Sequence, residues 1–358
     1  MKKFWKKSGS FLLPFLLVIA AYIMCQIMIS GKTMSRSLQG QLIPICAYIV
    51  MALSLNLVVG ISGELSLGHA GFMSVGAFTG AVVSGLMLKG WGVEDTLLRL
   101  ICAIIAGGCM AGIVGVLIGI PVLRLRGDYL AIVTLAFGEI IRNILNCVYI
   151  SVENGRLFFG FNNPGLPGTI LLNGPQGAVK VAKIATFEVG FVLVLFTLFV
   201  ILNLVHSRSG RAIMAIRDNR IAAETTGIPV TKYKMMAFVT SAALAGMAGA
   251  LFGLNFSTFA ASKFKFDTSI NILVFVVLGG IGNMTGSIIA ATALTILPEV
   301  LRAFSTYRML VYAIVLIAVM LLTNNRQVKS FIGVVKEKVR LLFNKTPHQP
   351  KGKEAEGK

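Results

Sequence analysis

The chain contains few side chains suited to acid–base or metal chemistry, and they are widely spaced. Its three histidines, His69, His206 and His348, lie far apart without a catalytic pairing. The five cysteines lie in or beside apolar stretches without the C-x-x-C spacing of a metal site, so we interpret them as packing residues. No G-x-x-x-x-G-K-S/T segment is present to cradle nucleotide phosphates. We therefore predict that the chain is not an enzyme and holds no metal or cofactor of its own.

Two ionisable residues, Glu64 and His69, lie in the glycine-rich segment NLVVGISGELSLGHAGF. Ionisable groups at membrane depth are costly and usually functional, so a proton relay is one interpretation. Glu64, however, falls in a predicted cytoplasmic turn, where it can be solvated or cap a helix. For His69, a hydrogen-bonded packing role is favoured over a position in a transport pathway.

A second group of polar residues lies on one helical stripe. Glu139, Arg142, Asn143 and Asn146 are three or four residues apart. Glu139 and Arg142, at i and i+3, can neutralise each other within a helix. Alternatively, Glu139 and Asn143 belong to the polar lining of a translocation path. The spacing leaves both interpretations open.

Glycines interrupt apolar stretches at corresponding places in the two halves of the chain. The first segment is NLVVGISGELSLGHAGF, from residue 56, and the second is FVVLGGIGNMTGSIIAA, from residue 275. Paired interruptions of this kind are typical of a translocation path, although glycines also permit close helix packing. We predict a path that includes Asn56, Gly63, Ser66, His69, Glu139, Asn143, Gly280 and Asn283.

Apolar helices must position these residues in a membrane. The chain has 358 residues, 56% hydrophobic and 13% charged, whereas a soluble domain is about 25% charged. The basic residues, which give a net charge of +19, lie between or beyond apolar runs, so no nucleic-acid partner is expected. Stretches long enough to cross a bilayer predict an all-α membrane protein of about ten transmembrane helices, near residues 11–30, 41–60, 65–88, 100–122, 129–150, 186–206, 236–256, 269–281, 284–300 and 309–323.

Charge predicts the orientation of these spans, since lysine and arginine accumulate on the cytoplasmic side. With a cytoplasmic N-terminus, 21 of the 33 basic residues fall on that side and 11 on the other, with Arg142 inside a span. Both termini are thus predicted to be cytoplasmic. The basic N-terminus is interpreted as the start of a retained first span, with a cleaved signal as the alternative. Whether 269–281 and 284–300 cross fully or re-enter stays open.

The polar stretch 207–235 separates two apolar runs on the predicted cytoplasmic side. Asp218 or Asn219 can cap a short helix that ends at Gly227, which can adopt the left-handed conformation. This bent element can lie on lipid or fit a protein groove, and its small residues favour the groove; a solvated loop is the alternative. We predict a protein-docking surface that comprises Arg211, Arg217, Asp218, Ile221, Ala222, Ala223 and Gly227.

This stretch resembles the loop of ABC-importer permeases, of pattern EAA, three residues, then G, that docks into a cleft of the ATPase subunit. Ala222, Ala223 and Gly227 match the pattern, whereas Ile221 stands where it has an acidic residue. The segments SLNLVVGISGELSLGHAGFMSVGAF (54–78) and LRLRGDYLAIVTLAFGEIIRNIL (123–145) are similar to signatures of LivM-type permeases of branched-chain amino-acid importers. Further matches to that family are Arg217, Asp218, Asn219, Gly227, Tyr233 and Lys234.

The resemblance covers roughly residues 41–323 and implies a type II-like ABC importer permease. The expected organisation is a basic segment and first helix at 1–40, a permease domain at 41–323 and a basic cytoplasmic tail at 324–358. The implied partners are a second, LivH-type permease, two ATPase subunits that bind the ATP, an extracytoplasmic substrate-binding protein and the lipid of a bacterial cytoplasmic (inner) membrane.

The substrates that this resemblance implies are leucine, isoleucine and valine, with urea, short amides or other amino acids as alternatives. A competing interpretation is an ion-coupled secondary transporter that uses Glu139, Arg142 and Glu299. A membrane scaffold without a transport role is a third. The stretch 207–235 favours the importer, because an ion-coupled carrier does not require a docking element.

Overall fold

The computed structural model describes residues 2–31, 35–125, 127–153, 155–161, 165, 167–301, 313, 314 and 317. Apart from the last three, these residues belong to one compact unit, Met1–Arg302. The predicted tenth span, 309–323, falls almost entirely outside the described residues, and the tail 324–358 lies wholly outside them.

Most of the described chain is helical. The α-helices are α1 Lys2–Ser30, α2 Arg36–Asn56, α3 His69–Lys89, α4 Thr96–Val122, α5 Asp128–Cys147, α6 Phe187–His206, α7 Arg208–Asp218, α8 Arg220–Thr225, α9 Val230–Gly253, α10 Phe266–Gly279 and α11 Met284–Val300. A π-helical turn, Leu57–Ser62, extends α2. Among the described residues, seven helices, α1 to α6 and α9, are long and apolar enough to cross a membrane. They correspond to the first seven predicted spans.

Glycines bring three of these helices together at the centre of the fold. A Cβ atom added to Gly76 of α3 would lie 1.9 Å from the carbonyl oxygen of Gly246 in α9. One added to Gly246 would lie 2.5 Å from the carbonyl oxygen of Gly107 in α4. Small residues allow the backbones of neighbouring helices to approach closely. In lipid no hydrophobic force drives helices together, so van der Waals packing stabilises this contact instead.

A three-stranded antiparallel sheet lies between α5 and α6 and corrects the prediction of an all-α protein. Its strands are β1 Val148–Glu153, β2 Arg156–Phe161 and β3 Thr169–Asn173, in the order β2-β1-β3. The three strands are rich in β-branched and aromatic residues, which favour extended backbone. The span predicted at 129–150 therefore ends at Cys147, where β1 begins. An isolated bridge between Ala178 and Phe259 joins this region to the segment after α9.

The helix α11 runs antiparallel along α2. Near the start of α2, the Ser37 hydroxyl donates a hydrogen bond to Glu299 in the last turn of α11. Near the end of α2, Asn56 Nδ2 donates to the hydroxyl of Ser287 in the first turn of α11, over 3.0 Å. The helix before it, α10, has 14 residues and is about 21 Å long, which is shorter than the hydrocarbon thickness of a bilayer.

Candidate functional site

The first glycine-rich segment breaks the helix α2. At Leu57 the α-helix changes into the π-helical turn, which ends at Gly63 with a φ of 75°. The Gly63 N–H donates to the carbonyl of Val58, five residues earlier. Only glycine adopts this left-handed conformation readily, so Gly63 fixes where the helix ends. We call residues 57–63 the first break.

The second glycine-rich segment separates α10 from α11. Gly280 and Gly282 have φ values of 92° and 82°, again in the region that favours glycine. Asn283 is exposed and caps α11, because its Oδ1 accepts a hydrogen bond from the Gly286 N–H over 3.3 Å. We call residues 280–283 the second break.

The two breaks touch each other, and Asn56 joins them. Its side chain is fully buried, and its Oδ1 accepts a hydrogen bond from the Gly282 N–H over 2.8 Å. Its Nδ2 donates to Ser287 at the start of α11. An added Cβ on Gly60 would lie 2.4 Å from the Gly282 nitrogen. The structure therefore places Asn56, Gly63, Gly280 and Asn283 in one region.

The segment after the first break is held by buried hydrogen bonds. His69 is 2% exposed, and its Nε2 lies 2.8 Å from the Ser54 hydroxyl. The Ala70 N–H donates to the Ser269 hydroxyl of α10 over 3.0 Å. Ser66 is buried too, and its hydroxyl has no hydrogen-bond partner in the described part of the chain. This geometry matches a packing role for His69.

Glu64 forms an ion pair with Lys234 of α9. The side chains of Glu64 and Lys234 are only 12% and 11% exposed, so the pair is nearly buried. The sequence prediction that Glu64 is solvated or caps a helix missed this contact. The two residues are 170 positions apart, so no local pattern links them. The one sequence signal for Lys234 was its match to the family pattern, which did not indicate that it pairs with Glu64.

The polar stripe lies on α5, which packs against the segment after the first break, where the Leu67 N–H donates to the Thr134 hydroxyl over 3.0 Å. Glu139 and Arg142 form a salt bridge of 2.7 Å, with the side chains 33% and 21% exposed. The neighbouring Asn143 is exposed. Glu139 also lines a narrow cleft together with Leu67 and Lys265. The stripe thus pairs its charges internally, while Asn143 faces outward.

The helices α7 and α8 form a bent element, which we call the elbow. Asn219, and not Asp218, caps α8, since its Oδ1 accepts from the Ala222 N–H over 3.1 Å. The helix ends at Thr225, two residues before Gly227, whose φ is 80°. Ile213 and Ile216 of α7 are buried, at 1% and 3% exposure. Ile213 belongs to the main apolar core, and Ile216 packs with Val230 at the start of α9. The elbow is therefore attached to the membrane helices.

One alanine of the predicted docking surface is buried. Ile221 is 76% exposed, and Ala222 and Gly227 are exposed beside it. Ala223 is only 4% exposed, because it packs with Ile216 of α7 and with Val230 at the start of α9. The prediction that Ala223 presents a docking surface is therefore corrected.

Two arginines of the elbow have different surroundings. The Arg211 side chain is exposed and donates to the carbonyl of His206 over 3.4 Å. Arg217 instead reaches the first break, where its Nη1 donates to the carbonyl of Gly60 over 2.9 Å. Asp218 pairs with the same guanidinium over 3.0 Å. Sequence reasoning placed Arg217 on the docking surface and missed its contact with the first break.

Comparisons with known proteins agree on a family of membrane permeases. The family model for "Branched-chain amino acid transport system / permease component" matches residues 38–320. The chain is 38% identical over 292 residues to the high-affinity branched-chain amino acid transport system permease protein LivM of Escherichia coli K12, an alignment that covers 76% of this chain and 66% of that relative. It is 27% identical over 304 residues to the ribose import permease protein RbsC of the same strain, with 78% and 82% covered.

A probable LivM of Methanocaldococcus jannaschii is 25% identical over 265 residues, which cover 67% of this chain and 74% of that relative. The chain spans about two thirds of the length of the Escherichia coli LivM that it matches. No solved structure matches it. The seven long apolar helices and the family together indicate a multi-pass membrane protein. The chain belongs to the family of branched-chain amino acid transport system permease components.

Proposed function

We propose that this chain is the permease subunit of an ATP-driven ABC importer that moves leucine, isoleucine and valine across a bacterial cytoplasmic membrane. The observation that carries this proposal is the elbow, which exposes Ile221 and Ala222 while its other face packs onto the membrane helices. Such a surface fits a groove on a partner protein. The family and the identity to LivM support the substrate class.

The proposed complex contains a second, LivH-type permease, two ATPase subunits that bind and hydrolyse ATP, and an extracytoplasmic substrate-binding protein. The ATPase subunits bind Arg211, Ile221, Ala222 and Gly227 on the elbow, with Asp218 at its edge. This chain then contributes no ATP site and no catalytic residue. The binding protein selects the substrate, so the permease needs no deep charged pocket.

The proposed architecture is type II-like, with about ten transmembrane helices and both termini in the cytoplasm. Residues 1–40 form the basic segment and first helix, 41–323 the permease domain and 324–358 the tail. The antiparallel course of α11 along α2 supports a full crossing by residues 284–300. The elbow then lies on the cytoplasmic side and the sheet β1 to β3 on the outer side, next to the binding protein.

We place the translocation path between this chain and the second permease, along α5. Only 17% of the α5 span is buried, and its exposed residues include Ile132, Ile140 and Asn143. The partly exposed Glu139–Arg142 pair would be costly against lipid alone. A second permease on this face would enclose the stripe, with Glu139 and Asn143 lining the route.

In this mechanism the two breaks form the part of the path that moves. Asn56, Gly63, Gly280 and Asn283 lie in or beside the two breaks, where the helices are interrupted. His69 holds the segment beside the first break through Ser54, and the buried Ser66 lies in the same segment. ATP-driven closure of the ATPase subunits moves the elbow, and the breaks rearrange to alternate access.

The contacts favour this mechanism over an ion-coupled carrier. Glu139 and Arg142 neutralise each other over 2.7 Å, and Glu299 accepts a hydrogen bond from Ser37. An ion-coupled carrier needs a group that gains and loses charge as it works. Side chains that are already paired in the structure are less suited to that task.

Purification of the tagged protein from native membranes in mild detergent tests the proposal. We expect two ATPase chains and a second permease to remain bound, as identified by mass spectrometry. Reconstitution of that complex with its binding protein should give uptake of radiolabelled leucine that requires ATP. A single species, also after crosslinking before solubilisation, together with uptake driven by an ion gradient, would overturn the importer proposal.

Cysteine crosslinking tests the docking surface with a matched pair of neighbouring alanines. We expect Ala222→Cys, at an exposed position, to crosslink to an ATPase subunit in inside-out vesicles. Ala223→Cys should react far less, because that position is 4% exposed. The measurement is the yield of crosslinked product on a denaturing gel. Labelling of Ala222→Cys by an impermeant reagent from outside intact cells would contradict the orientation.

A further inference from the structure

Arg217 leaves the elbow and contacts the membrane core. Its Nη1 donates a hydrogen bond of 2.9 Å to the carbonyl oxygen of Gly60. Its Nε and Nη2 donate to Asp218 Oδ1 over 3.1 and 3.0 Å. The guanidinium is planar and rigid, so the contact with Asp218 also fixes the direction of Nη1. Asp218 therefore orients Arg217 towards the first break.

Arg217 covers the first break at two glycines. Gly60 lies in the last turn of the π-helical segment, where carbonyl groups lose their partners within the helix, and Arg217 supplies one. An added Cβ on Gly63 would lie 2.6 Å from Arg217 Cγ. The stem of the side chain thus packs on Gly63 while its head binds Gly60.

Gly60 also contacts the second break. An added Cβ on Gly60 would lie 2.4 Å from the nitrogen of Gly282 and 2.1 Å from Asn56 Oδ1. The same Gly282 N–H donates to Asn56 Oδ1 over 2.8 Å. Direct contacts therefore run from the elbow through Arg217 to Gly60, and from Gly60 to Gly282.

We propose that Arg217 is a positioning residue that couples movement of the elbow to rearrangement of the two breaks. A hydrogen bond to Gly60 persists only over a few tenths of an ångström, so Gly60 must follow α7 or lose its partner. Movement of Gly60 towards Gly282 meets backbone, and movement away opens the contact between the two breaks. This inference rests on the proposed function, since ATPase binding supplies the motion of the elbow.

The test uses the complete importer in proteoliposomes and compares Arg217→Met with Arg217→Lys. Methionine keeps a long, flexible stem and removes every donor, whereas lysine keeps one charged donor without the fork that binds Gly60 and Asp218 together. The readout is the number of ATP molecules hydrolysed per leucine transported. We expect Arg217→Met to keep its ATPase subunits. We also expect it to raise the number of ATP molecules per leucine by about tenfold or more, which is the factor that the loss of one charged hydrogen bond corresponds to. Arg217→Lys should lie between it and the wild type.

Arg124→Met is the matched control, because Arg124 is exposed in the turn after α4 and lies outside the elbow. We expect it to keep the wild-type ratio. A wild-type complex without ATP-driven leucine uptake would contradict the proposed function itself. Where the wild type transports leucine, an unchanged ratio in both Arg217 variants would overturn the coupling role. Loss of the ATPase subunits from both variants would also overturn it, since Arg217 would then act in docking alone.

Discussion

Replacement of Gly227 with valine should lower ATP-driven uptake of leucine by about tenfold or more while the membrane helices stay assembled. Gly227 has a φ of 80° and nothing within 4 Å of an added Cβ. The valine therefore strains the backbone at this φ and does not clash with a neighbouring atom. A non-glycine residue in this region is strained by about 1–3 kcal/mol, and relief of that strain moves the end of α8. Because α8 carries Ile221 and Ala222, we expect leucine uptake to fall by about tenfold or more, since 1.4 kcal/mol in docking corresponds to that factor.

The control for this variant is Gly92→Val, in the turn between α3 and α4. Gly92 has a φ of 65° and also has nothing within 4 Å of an added Cβ, so it tests strain at a positive φ outside the elbow. We expect this variant to retain its ATPase subunits and its uptake. Normal uptake by Gly227→Val, or an equal loss in both variants, would contradict a docking role for the end of α8.

Reversal of the charge at Glu64 should destabilise the protein strongly. In Glu64→Lys, two ammonium groups face each other at positions that are only 12% and 11% exposed. Breaking a buried ion pair in this way costs about 3–5 kcal/mol. We expect a markedly lower unfolding temperature in detergent, measured by intrinsic fluorescence. The double variant Glu64→Lys with Lys234→Glu restores opposite charges and should recover most of the loss.

The pair Arg220 and Glu224 provides the matched comparison for stability. It is an i,i+4 pair on the elbow surface, with side chains 32% and 48% exposed. Exposed pairs contribute about 0–1 kcal/mol, so Glu224→Lys should change the unfolding temperature little. If Glu64→Lys were equally mild, or if the double variant recovered nothing, the ion pair between Glu64 and Lys234 would not hold the segment after the first break.

Local patterns allowed several features to be predicted from the sequence. The spans from 11–30 to 236–256 follow from apolar length alone, and the seven long helices match them. The end of α8 near Gly227 follows from the conformational freedom of glycine, as its φ of 80° shows. The glycine segments near 56 and 275 indicated two interruptions, and the structure places them in contact. Each of these features depends on neighbours within about one helical turn or one span.

The features that were missed depend on tertiary contacts. The burial of Ala223 depends on Ile216 and Val230, and nothing in the local pattern separates Ala223 from the exposed Ala222. The contact of Arg217 with Gly60 joins residues 157 positions apart, and a basic residue on an exposed helix normally indicates solvent. The sheet β1 to β3 was missed because its short strands are separated by glycine and proline, which indicated a loop.

The contacts between α2 and α11 also constrain how the protein is made. Asn56 and Ser287 are 231 positions apart, and ribosomes add about 5–20 residues per second, so α2 is synthesised about 10–50 s before its partner. During that interval the amide of Asn56 has neither Gly282 nor Ser287 to bind. A buried amide needs a hydrogen-bond partner, so until the second half emerges Asn56 requires water, the insertion machinery or another polar group in their place. Biogenesis of this permease consequently depends on the order of translation as well as on the final packing.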